Sequence, residues 1–207
     1  MKNLVEVKNL KKSYDLKEAV RGISFKIKDN EILGLLGPNG SGKTTTIGMM
    51  LGLLKPSNGE IIIDGKKIED NRIEILKKIN FISPYIELPK KLTVKQNLIV
   101  YGKLYSVPDI KKRIEYLSEK LRLENLLNRI TGELSSGQKN RVSLAKALIN
   151  NPKVLLLDEP TASLDPEIAD FVRTFLENYK KEKKISILLA SHNMNEVTRL
   201  CKSILMM

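Results

Sequence analysis

Gly37-Pro38-Asn39-Gly40-Ser41-Gly42-Lys43-Thr44 is the stretch of this sequence that decides the fold. It matches the pattern G-x-x-x-x-G-K-[ST] at every fixed position. Residues 31–36 before it form an apolar run of strand length, and residues 45–54 after it continue like an apolar helix. A strand that leads through a glycine-rich turn into a helix N-terminus predicts a loop whose backbone N–H groups surround a phosphate.

The side chains of this loop suit a nucleotide. Lys43 is placed to reach the β- and γ-phosphates, and the Thr44 hydroxyl is a ligand for Mg²⁺. The glycines let the backbone curl until successive N–H groups point inward. We therefore predict a cofactor-binding segment made of Gly37, Pro38, Asn39, Gly40, Ser41, Gly42, Lys43, Thr44 and Thr45.

The composition is that of an ordinary globular protein in a reducing compartment. The chain has 207 residues, of which 42% are hydrophobic and 29% charged, so one domain with a sizeable core is expected. It contains no apolar run of the roughly 18 residues that a membrane span needs, and its first residues lack the apolar segment of a secretory signal. The single cysteine, Cys201, forms no internal disulfide and fits the cytoplasm.

The net charge of +12 first suggests an anionic partner. Nucleic acid and an anionic membrane surface both attract such a chain. The lysines are scattered in pairs, however, and aromatic residues make up only 5% of the sequence, so platforms for stacking the bases of a single strand are scarce. A solvated, lysine-rich surface explains the charge better, and we expect no nucleic-acid partner.

The hydrophobic periodicity alternates between strand and helix. The expected strands are residues 4–7, 23–27, 31–36, 60–64, 80–83, 154–157 and 185–190, and the expected helices follow residues 44, 92, 108, 134, 165 and 192. This order predicts an α/β fold: a P-loop NTPase core with a mostly parallel sheet, N-terminal antiparallel β strands and an inserted α-helical lobe. We expect a single domain, residues 1–207, with the core in residues 1–83 and 146–207 and the helical lobe in residues 84–145.

Acidic residues end the buried strand 154–157, at the edge of the sheet where ligands bind. Asp158 is positioned to hold Mg²⁺ together with Thr44. Glu159 can polarise a water for attack on the γ-phosphorus. His192, the only histidine, follows strand 185–190 at the same edge, where it can bond the γ-phosphate and hold that water. The predicted metal ligands are Thr44 and Asp158, and the predicted catalytic residues are Glu159, His192 and Lys43.

A second anion-seeking element begins another helix. Ser135, Ser136 and Gly137 offer two hydroxyls and a glycine at a helix N-terminus. A plain helix cap is the alternative interpretation. We prefer anion binding, because a cap gives no reason for Leu134 before these residues or for Gln138 after them.

Taken in order, these elements resemble the nucleotide-binding domain of ABC transporters over the whole chain. The resemblance implies ATP and Mg²⁺ as cofactors, and it implies that Ser135, Ser136, Gly137 and Gln138 contact the ATP of a second subunit. The matching elements are Tyr14 (the adenine-stacking aromatic), residues 37–44 (Walker A), residues 134–138 (the LSGGQ-type signature), residues 154–159 (Walker B and the catalytic glutamate), Ser163-Leu164-Asp165 (D-loop) and His192 (the switch histidine).

The resemblance implies an ATP-hydrolysing subunit that powers a separate membrane permease. It implies a homodimer, or a heterodimer with a related ATPase, at the inner face of the cell membrane. Residues 52–59 resemble the exporter-like subgroup in particular. Two other interpretations stay open: a soluble ABC ATPase acting on ribosomes or nucleic acid, and a small-molecule kinase built on a phosphate loop. The kinase interpretation leaves the Ser135–Gln138 element unexplained.

The sequence departs from the family pattern at three places. Ser136 replaces the usual signature glycine, and Pro84 stands where a Q-loop glutamine is expected. Proline has no side-chain acceptor, so the metal and water contact of that glutamine is missing or comes from another residue. The family also adds further strands after residue 207, so we expect the last strand to lie at an unfinished edge or the chain to be cut short.

Overall fold

The structure, a computed structural model, describes residues 3–15 and 17–207. Its strands are β1 (Asn3–Tyr14), β2 (Lys17–Lys28), β3 (Ile32–Leu36), β4 (Asn58–Ile63), β5 (Lys66–Lys67), β6 (Ile79–Ile82), β7 (Val154–Asp158), β8 (Ser186–Ser191) and β9 (Ser203–Met206). Its α-helices are α1 (Lys43–Met50), α2 (Ile68–Leu76), α3 (Val94–Leu104), α4 (Ile110–Leu121), α5 (Ser136–Leu148), α6 (Pro166–Lys183) and α7 (Met194–Leu200). The predicted α/β class is confirmed.

A parallel sheet with the strand order β6-β7-β8-β3-β9 forms the centre of the molecule. Successive side chains of a strand point to opposite faces, so an uninterrupted apolar strand fits only a sheet that is covered on both sides. Strand β7 shows this: Leu155 and Leu157 enter one core, and Val154 and Leu156 enter the other. The sheet therefore separates two hydrophobic cores.

An antiparallel sheet with the order β2-β1-β4-β5 covers one of these cores. Val5 and Val7 of β1 point inward and are buried, whereas Glu6 between them is partly exposed. Helix α1 lies in the same core and contributes Ile47 and Met50. The N-terminal antiparallel strands expected from the alternation of residues 4–7 and 23–27 are thus present, and they position β2 next to the phosphate loop.

Helices α3, α4 and α5 share the other core with the parallel sheet. The amide of Asn97, a fully buried residue of α3, donates to Thr131 Oγ1 at 2.8 Å and ties α3 to the segment before α5. Helix α5 runs without a break through residues 145 and 146, where the sequence analysis divided the lobe from the core. One helix therefore serves both parts, and the division itself stays a prediction.

Two elements were not expected from the sequence. Strand β9 forms an edge of the parallel sheet beside β3. Helix α2 buries only Ile68 and Ile75, so its apolar stripe is too narrow for a helical period to stand out. The expectation that the family's later strands are lacking stays a prediction.

The longest helix is amphipathic. Helix α6 spans 18 residues and buries Val172, Leu176 and Tyr179, while Lys180 and Lys181 lie in its last turn. Cations near a helix C-terminus are favourable, because the helix dipole is negative there. Within residues 3–15 and 17–207, no helix combines the length and the hydrophobicity needed to cross a bilayer.

Helix α7 packs on β3 at Gly34. A Cβ atom at this position would lie 2.7 Å from Val197 Cγ1 and 3.0 Å from Cys201 Sγ. Burial also raises the pKa of the Cys201 thiol to about 12, so this thiol is packed and not reactive. The contact fixes how closely α7 approaches the sheet.

We expect Gly34→Ala to lower the free energy of unfolding by about 1–3 kcal/mol, because the added methyl group overpacks the contact with α7. Urea unfolding measures the change. Gly48→Ala is the control, since the nearest atom to its Cβ is Leu54 Cδ1 at 2.9 Å, the end of a flexible side chain. Alanine also favours a helix over glycine by about 1 kcal/mol, so this control should be neutral or stabilising. Equal losses of unfolding free energy in the two variants would contradict the conclusion that the close contact between Gly34 and α7 causes the destabilisation.

Candidate active site

The phosphate loop connects β3 to α1, as the sequence predicted. Gly42 precedes the helix with φ at 100°, in the left-handed region where glycine is favoured, and β2 passes so close that no Cβ fits there. The Lys43 side chain is buried, and its Nζ donates to the carbonyl oxygens of Gly37 at 2.7 Å and Pro38 at 3.1 Å. The ammonium group is thus held across the loop by backbone oxygens.

Thr44 and Asp158 meet at the start of α1. Thr44 Oγ1 donates to Asp158 Oδ2 at 2.7 Å, and Asp158 Oδ1 is buried without a hydrogen-bond partner. Burial raises the pKa of the Asp158 carboxyl. The Thr44 hydrogen bond and the charge of Lys43 lower this pKa, whereas the charge of Glu159 raises it. An unpaired carboxylate oxygen inside a protein is costly, so this site favours a cation.

This donor set fits Mg²⁺. The ion commonly takes one or two carboxylates and completes its octahedron with water and substrate phosphates. Among the residues that the structure describes, no group of three or more His, Cys, Asp or Glu side chains forms a metal cage. One carboxylate and one hydroxyl beside a phosphate loop need no such cage. The residues present therefore match an ion that is bound together with a nucleotide.

Glu159 and His192 lie side by side at the ends of β7 and β8. Glu159 Oε1 is 2.8 Å from His192 Nδ1 and accepts from the His192 N–H at 3.0 Å. The same oxygen is 3.8 Å from Lys43 Nζ. Glu159 has a φ of 49°, a left-handed conformation that persists in such a residue only when its surroundings impose it. The structure brings all three predicted catalytic residues together.

Tyr14 lies at the end of β1, and 46% of its surface is exposed. It pairs with Lys17 in the hairpin whose second strand passes against Gly42. Lys12 Nζ lies over the Tyr14 ring, 4.9 Å from its centre, and makes a cation–π contact with it. An exposed ring beside the phosphate loop suits base stacking, which stays a prediction.

The signature residues form a capping box, and this corrects one step of the sequence argument. Ser135 Oγ accepts from the Gln138 N–H at 3.3 Å, and Gln138 Oε1 accepts from the Ser135 N–H at 3.0 Å. Leu134 is buried in the core. The claim that a cap gives no reason for Leu134 or Gln138 is therefore wrong, because a serine cap followed by Gln at the third helical position is itself a capping motif.

Within one chain, the signature segment is separate from the phosphate loop. In the described part of the structure, no hydrogen bond joins Ser135–Gln138 to Gly37–Thr44. Ser136 is exposed, and Gly137 packs against Ile168 of α6. The nucleotide contacts predicted for Ser135, Ser136, Gly137 and Gln138 thus stay a prediction that needs a second subunit.

A cavity of about 210 Å³ lies between the segment after β6 and the start of α5. Pro84, Ser136, Asn140 and Glu159 all contribute to its wall. The amide of Asn140 donates to the carbonyl oxygen of Pro160 at 2.7 Å, and Asn140 Oδ1 is buried without a partner. Pro84 thus borders the same space as the predicted base, although it brings no side-chain acceptor.

Two residues that hold segments of the site, Asn140 and Glu196, were not predicted from the sequence: Asn140 bonds Pro160, and Glu196 bonds Thr161 and Ser191. Asn140 lies three residues after Gly137, so both are on one face of α5. This spacing was a usable signal that Asn140 lies on the same side of the helix as the signature glycine. Glu196 lies one residue before Val197 and four before Leu200 on the buried face of α7, where a charged residue is unusual. A carboxylate at an apolar helical position was the signal that was overlooked.

Comparison with known proteins identifies the family. The sequence profile described as "ABC transporter" matches residues 20–162. The chain belongs to the ABC transporter family. Within this family it is similar to ATP-binding subunits, as the order of motifs indicated.

Three ABC relatives show the range of similarity. The ATP-binding protein NatA of Bacillus subtilis is 39% identical over 192 residues, which cover 91% of this chain and 78% of NatA. The Nod factor export ATP-binding protein I of Burkholderia orbicola is 38% identical over 95% of this chain and 65% of its own length. The bacitracin transport ATP-binding protein BcrA of Bacillus licheniformis is 36% identical over 97% of this chain and 65% of its own length. The chain thus spans slightly less than two thirds of the last two.

Solved ABC cassettes share the fold. CbiO1 of Clostridium perfringens, part of the cbiONQ transporter complex, has a TM-score of 0.88 and 33% identity, covering 99% of this chain and 84% of its own. The cassette MJ0796, in a dimeric post-hydrolysis state with ADP and Pi, has a TM-score of 0.89 and 28% identity, covering 98% of this chain and 94% of its own. The predicted fold, the ATP-binding role and the ATPase class are confirmed for this chain as a family member.

We expect Ser135→Ala to lower the free energy of unfolding by about 1 kcal/mol, because α5 loses the side-chain acceptor at its N-cap. Gln138→Glu should leave this free energy unchanged or raise it, since glutamate fills the same position in a capping box and its charge suits a helix N-terminus. Urea unfolding of the two variants and the parent tests this. No loss in Ser135→Ala would show that the box contributes no stability, and an equal loss in Gln138→Glu would contradict the prediction that glutamate replaces glutamine in it.

Proposed function

We propose that this chain hydrolyses ATP at Glu159 and thereby powers a separate membrane permease. The observation that carries the proposal is that two side chains, His192 and Lys43, lie close to one carboxylate oxygen of Glu159. Glu159 Oε1 lies 2.8 Å from His192 Nδ1 and 3.8 Å from Lys43 Nζ. A base, a cationic phosphate ligand and a second polar group therefore meet at the mouth of the phosphate loop.

The phosphate loop and the metal ligands bind and orient the nucleotide. Lys43 exchanges its bonds to the carbonyls of Gly37 and Pro38 for bonds to phosphate oxygens, while N–H groups at the start of α1 bind the same anion. Asp158 and Thr44 would hold Mg²⁺, and the ion would supply positive charge to the β- and γ-phosphate oxygens. The buried Asp158 oxygen without a hydrogen-bond partner supports this role.

Glu159 acts as the general base. It accepts a proton from a water whose oxygen attacks the γ-phosphorus, and the bond from that phosphorus to the β-phosphate oxygen breaks to give ADP and phosphate. His192 holds the water and a γ-phosphate oxygen in line. The 2.8 Å contact between Glu159 Oε1 and His192 Nδ1 supports these roles, because both side chains reach the same space.

The second half of each site comes from a partner chain. Phosphoryl transfer depends on positioning and on charge stabilisation around the γ-phosphate, so its exposed side needs donors too. The start of α5 offers an exposed Ser136 hydroxyl at a helix N-terminus. MJ0796 is a dimeric cassette, which supports a dimer here.

Transport is proposed from the relatives. Nod factor export and bacitracin transport are the roles named for two of them, and cbiO1 is part of a transporter complex. They favour an exporter-like subunit on the inner face of the membrane over a soluble ATPase acting on ribosomes or nucleic acid. The proposal assigns the permease to a separate polypeptide, as the sequence resemblance implies.

We expect Glu159→Gln to bind ATP and Mg²⁺ normally but to lower kcat by ~10²–10⁴, because the amide cannot accept the proton of the water. Phosphate release measures turnover, and a fluorescent ATP analogue measures binding. Lys43→Ala is the matched control and should lose binding itself, since Lys43 contacts the phosphates. Parental turnover in Glu159→Gln would contradict the assignment of the base.

We also expect a Lys43→Ala chain and a Ser136→Arg chain, each inactive alone, to regain part of the ATPase activity when mixed. In a mixed dimer one site receives both defects and the other receives neither. Phosphate release after mixing tests this. A mixture of Lys43→Ala with Glu159→Gln is the control, because both residues lie on the same side of the nucleotide and every site keeps one defect. Recovery in the control, or none in the first mixture, would contradict a shared site.

A further inference from the structure

Glu196 is a buried carboxylate for which the proposed reaction has no role. It lies in the first turn of α7 and is only 1% exposed. A buried carboxylate is costly unless hydrogen bonds satisfy it. Capping of α7 does not explain it, because Asn193 already accepts from the N–H groups of Asn195 at 3.0 Å and Glu196 at 3.4 Å.

The two oxygens of Glu196 bind two separate segments, the loop after β7 and the end of β8. Oε1 accepts from Thr161 Oγ1 at 2.7 Å, and Oε2 accepts from Ser191 Oγ at 2.8 Å. Thr161 follows Glu159 by two residues, and Ser191 directly precedes His192. One rigid, buried group therefore bridges the segment that presents the base and the segment that presents the histidine.

Ser191 links this bridge to the rest of the site. Its carbonyl oxygen accepts from the Gly37 N–H of the phosphate loop at 3.4 Å. Its hydroxyl lies 2.8 Å from Glu196 Oε2 and 3.4 Å from Glu159 Oε2, and it accepts from the Asn193 N–H at 3.1 Å. The hydroxyl has a single proton, and the shorter distance assigns it to Glu196, which leaves Glu159 Oε2 without that donor.

We propose that Glu196 is a positioning residue for ATP hydrolysis: it fixes the Glu159 and His192 segments relative to each other and keeps the Ser191 proton away from Glu159. This inference rests on the proposed function. Glu159 needs such support, because its left-handed φ of 49° is not a conformation that an isolated segment maintains. Glu196 is only 1% exposed and accepts from Thr161 and Ser191, so its effect on the reaction should appear in turnover and not in binding.

The main test replaces the bridge by apolar groups of similar shape, in the double variant Thr161→Val with Glu196→Leu. Both partners of the Thr161–Glu196 bond are removed, which can be nearly neutral for stability. The buried Ser191 hydroxyl keeps Glu159 Oε2 within reach at 3.4 Å, so this variant is expected to unfold at a temperature close to that of the parent. Its Kd for the fluorescent ATP analogue should stay within about threefold, while kcat falls by up to about 100-fold, as for misplacement of a catalytic group by about 1 Å. Thr161→Val alone is the matched control and should lose less kcat, because the Ser191 side of the bridge remains.

A second variant keeps the inference testable if the double variant does not fold. Glu196→Asp retains the charge but is one methylene shorter, so it cannot reach both hydroxyls, and we expect a lower kcat with an unchanged Kd. A kcat within about twofold of the parent in either folded variant overturns the inference, as does a loss of ATP binding that parallels the loss of kcat.

The parent and Glu159→Gln are measured in the same series. Turnover by the parent that Glu159→Gln abolishes supports the proposed function whatever Glu196 does. No turnover by the parent overturns the proposed function and this inference with it.

Discussion

The parallel ladder of β7, β8 and β3 is the constraint on which the site depends. Asp158 pairs with Ala190, and Leu36 pairs with Ser191, so the three strands end at one level of the sheet. The chain after each end then supplies one part of the site: the phosphate loop after β3, Glu159 after β7 and His192 after β8. Both faces of the ladder are buried, so slipping one strand by a residue would exchange the side chains of the two cores. Packing on both faces of the sheet therefore fixes the distances among Glu159, His192 and Lys43.

Several groups of the site are held in costly or constrained states. Asp158 has a buried oxygen without a partner, and Glu159 adopts a left-handed conformation. The buried Lys43 ammonium is held by the carbonyl oxygens of Gly37 and Pro38. The first two features cost folding free energy. Burial of the apolar side chains in the two cores on either side of the sheet offsets this cost.

The sequence was sufficient for the fold class and for most of the site. Apolar runs at residues 154–157 and 185–190 are specific for covered parallel strands, and the phosphate-loop pattern carries its own local chemistry. The argument that a helix cap gives no reason for Gln138 failed for a physical reason: a glutamine at this place serves helix capping and an anion-binding loop equally well, and only the geometry shows the capping bond. The charge of Glu196 at an apolar helical position was a signal, but its contacts could not be predicted, because Thr161 in the loop after β7 and Ser191 at the end of β8 meet only in the folded sheet. Strand β9 was missed because its side chains are mostly exposed at an edge, where alternation is weak.

The contacts around Pro160 join the segment that holds Glu159 to the start of α5, which the proposed function assigns to the nucleotide of a partner chain. Asn140 of α5 holds the Pro160 carbonyl, one residue after Glu159, and Gly137 of the same helix packs against Ile168 of α6. Helix α5 begins at the capping box and continues into the core beside β7, so its first turn cannot shift without affecting these contacts. A rigid helix with a capped start transmits displacement along its axis better than a loop would. In a dimer that shares its sites, the state of one site would therefore reach the other through backbone and side-chain contacts that are already present in a single chain.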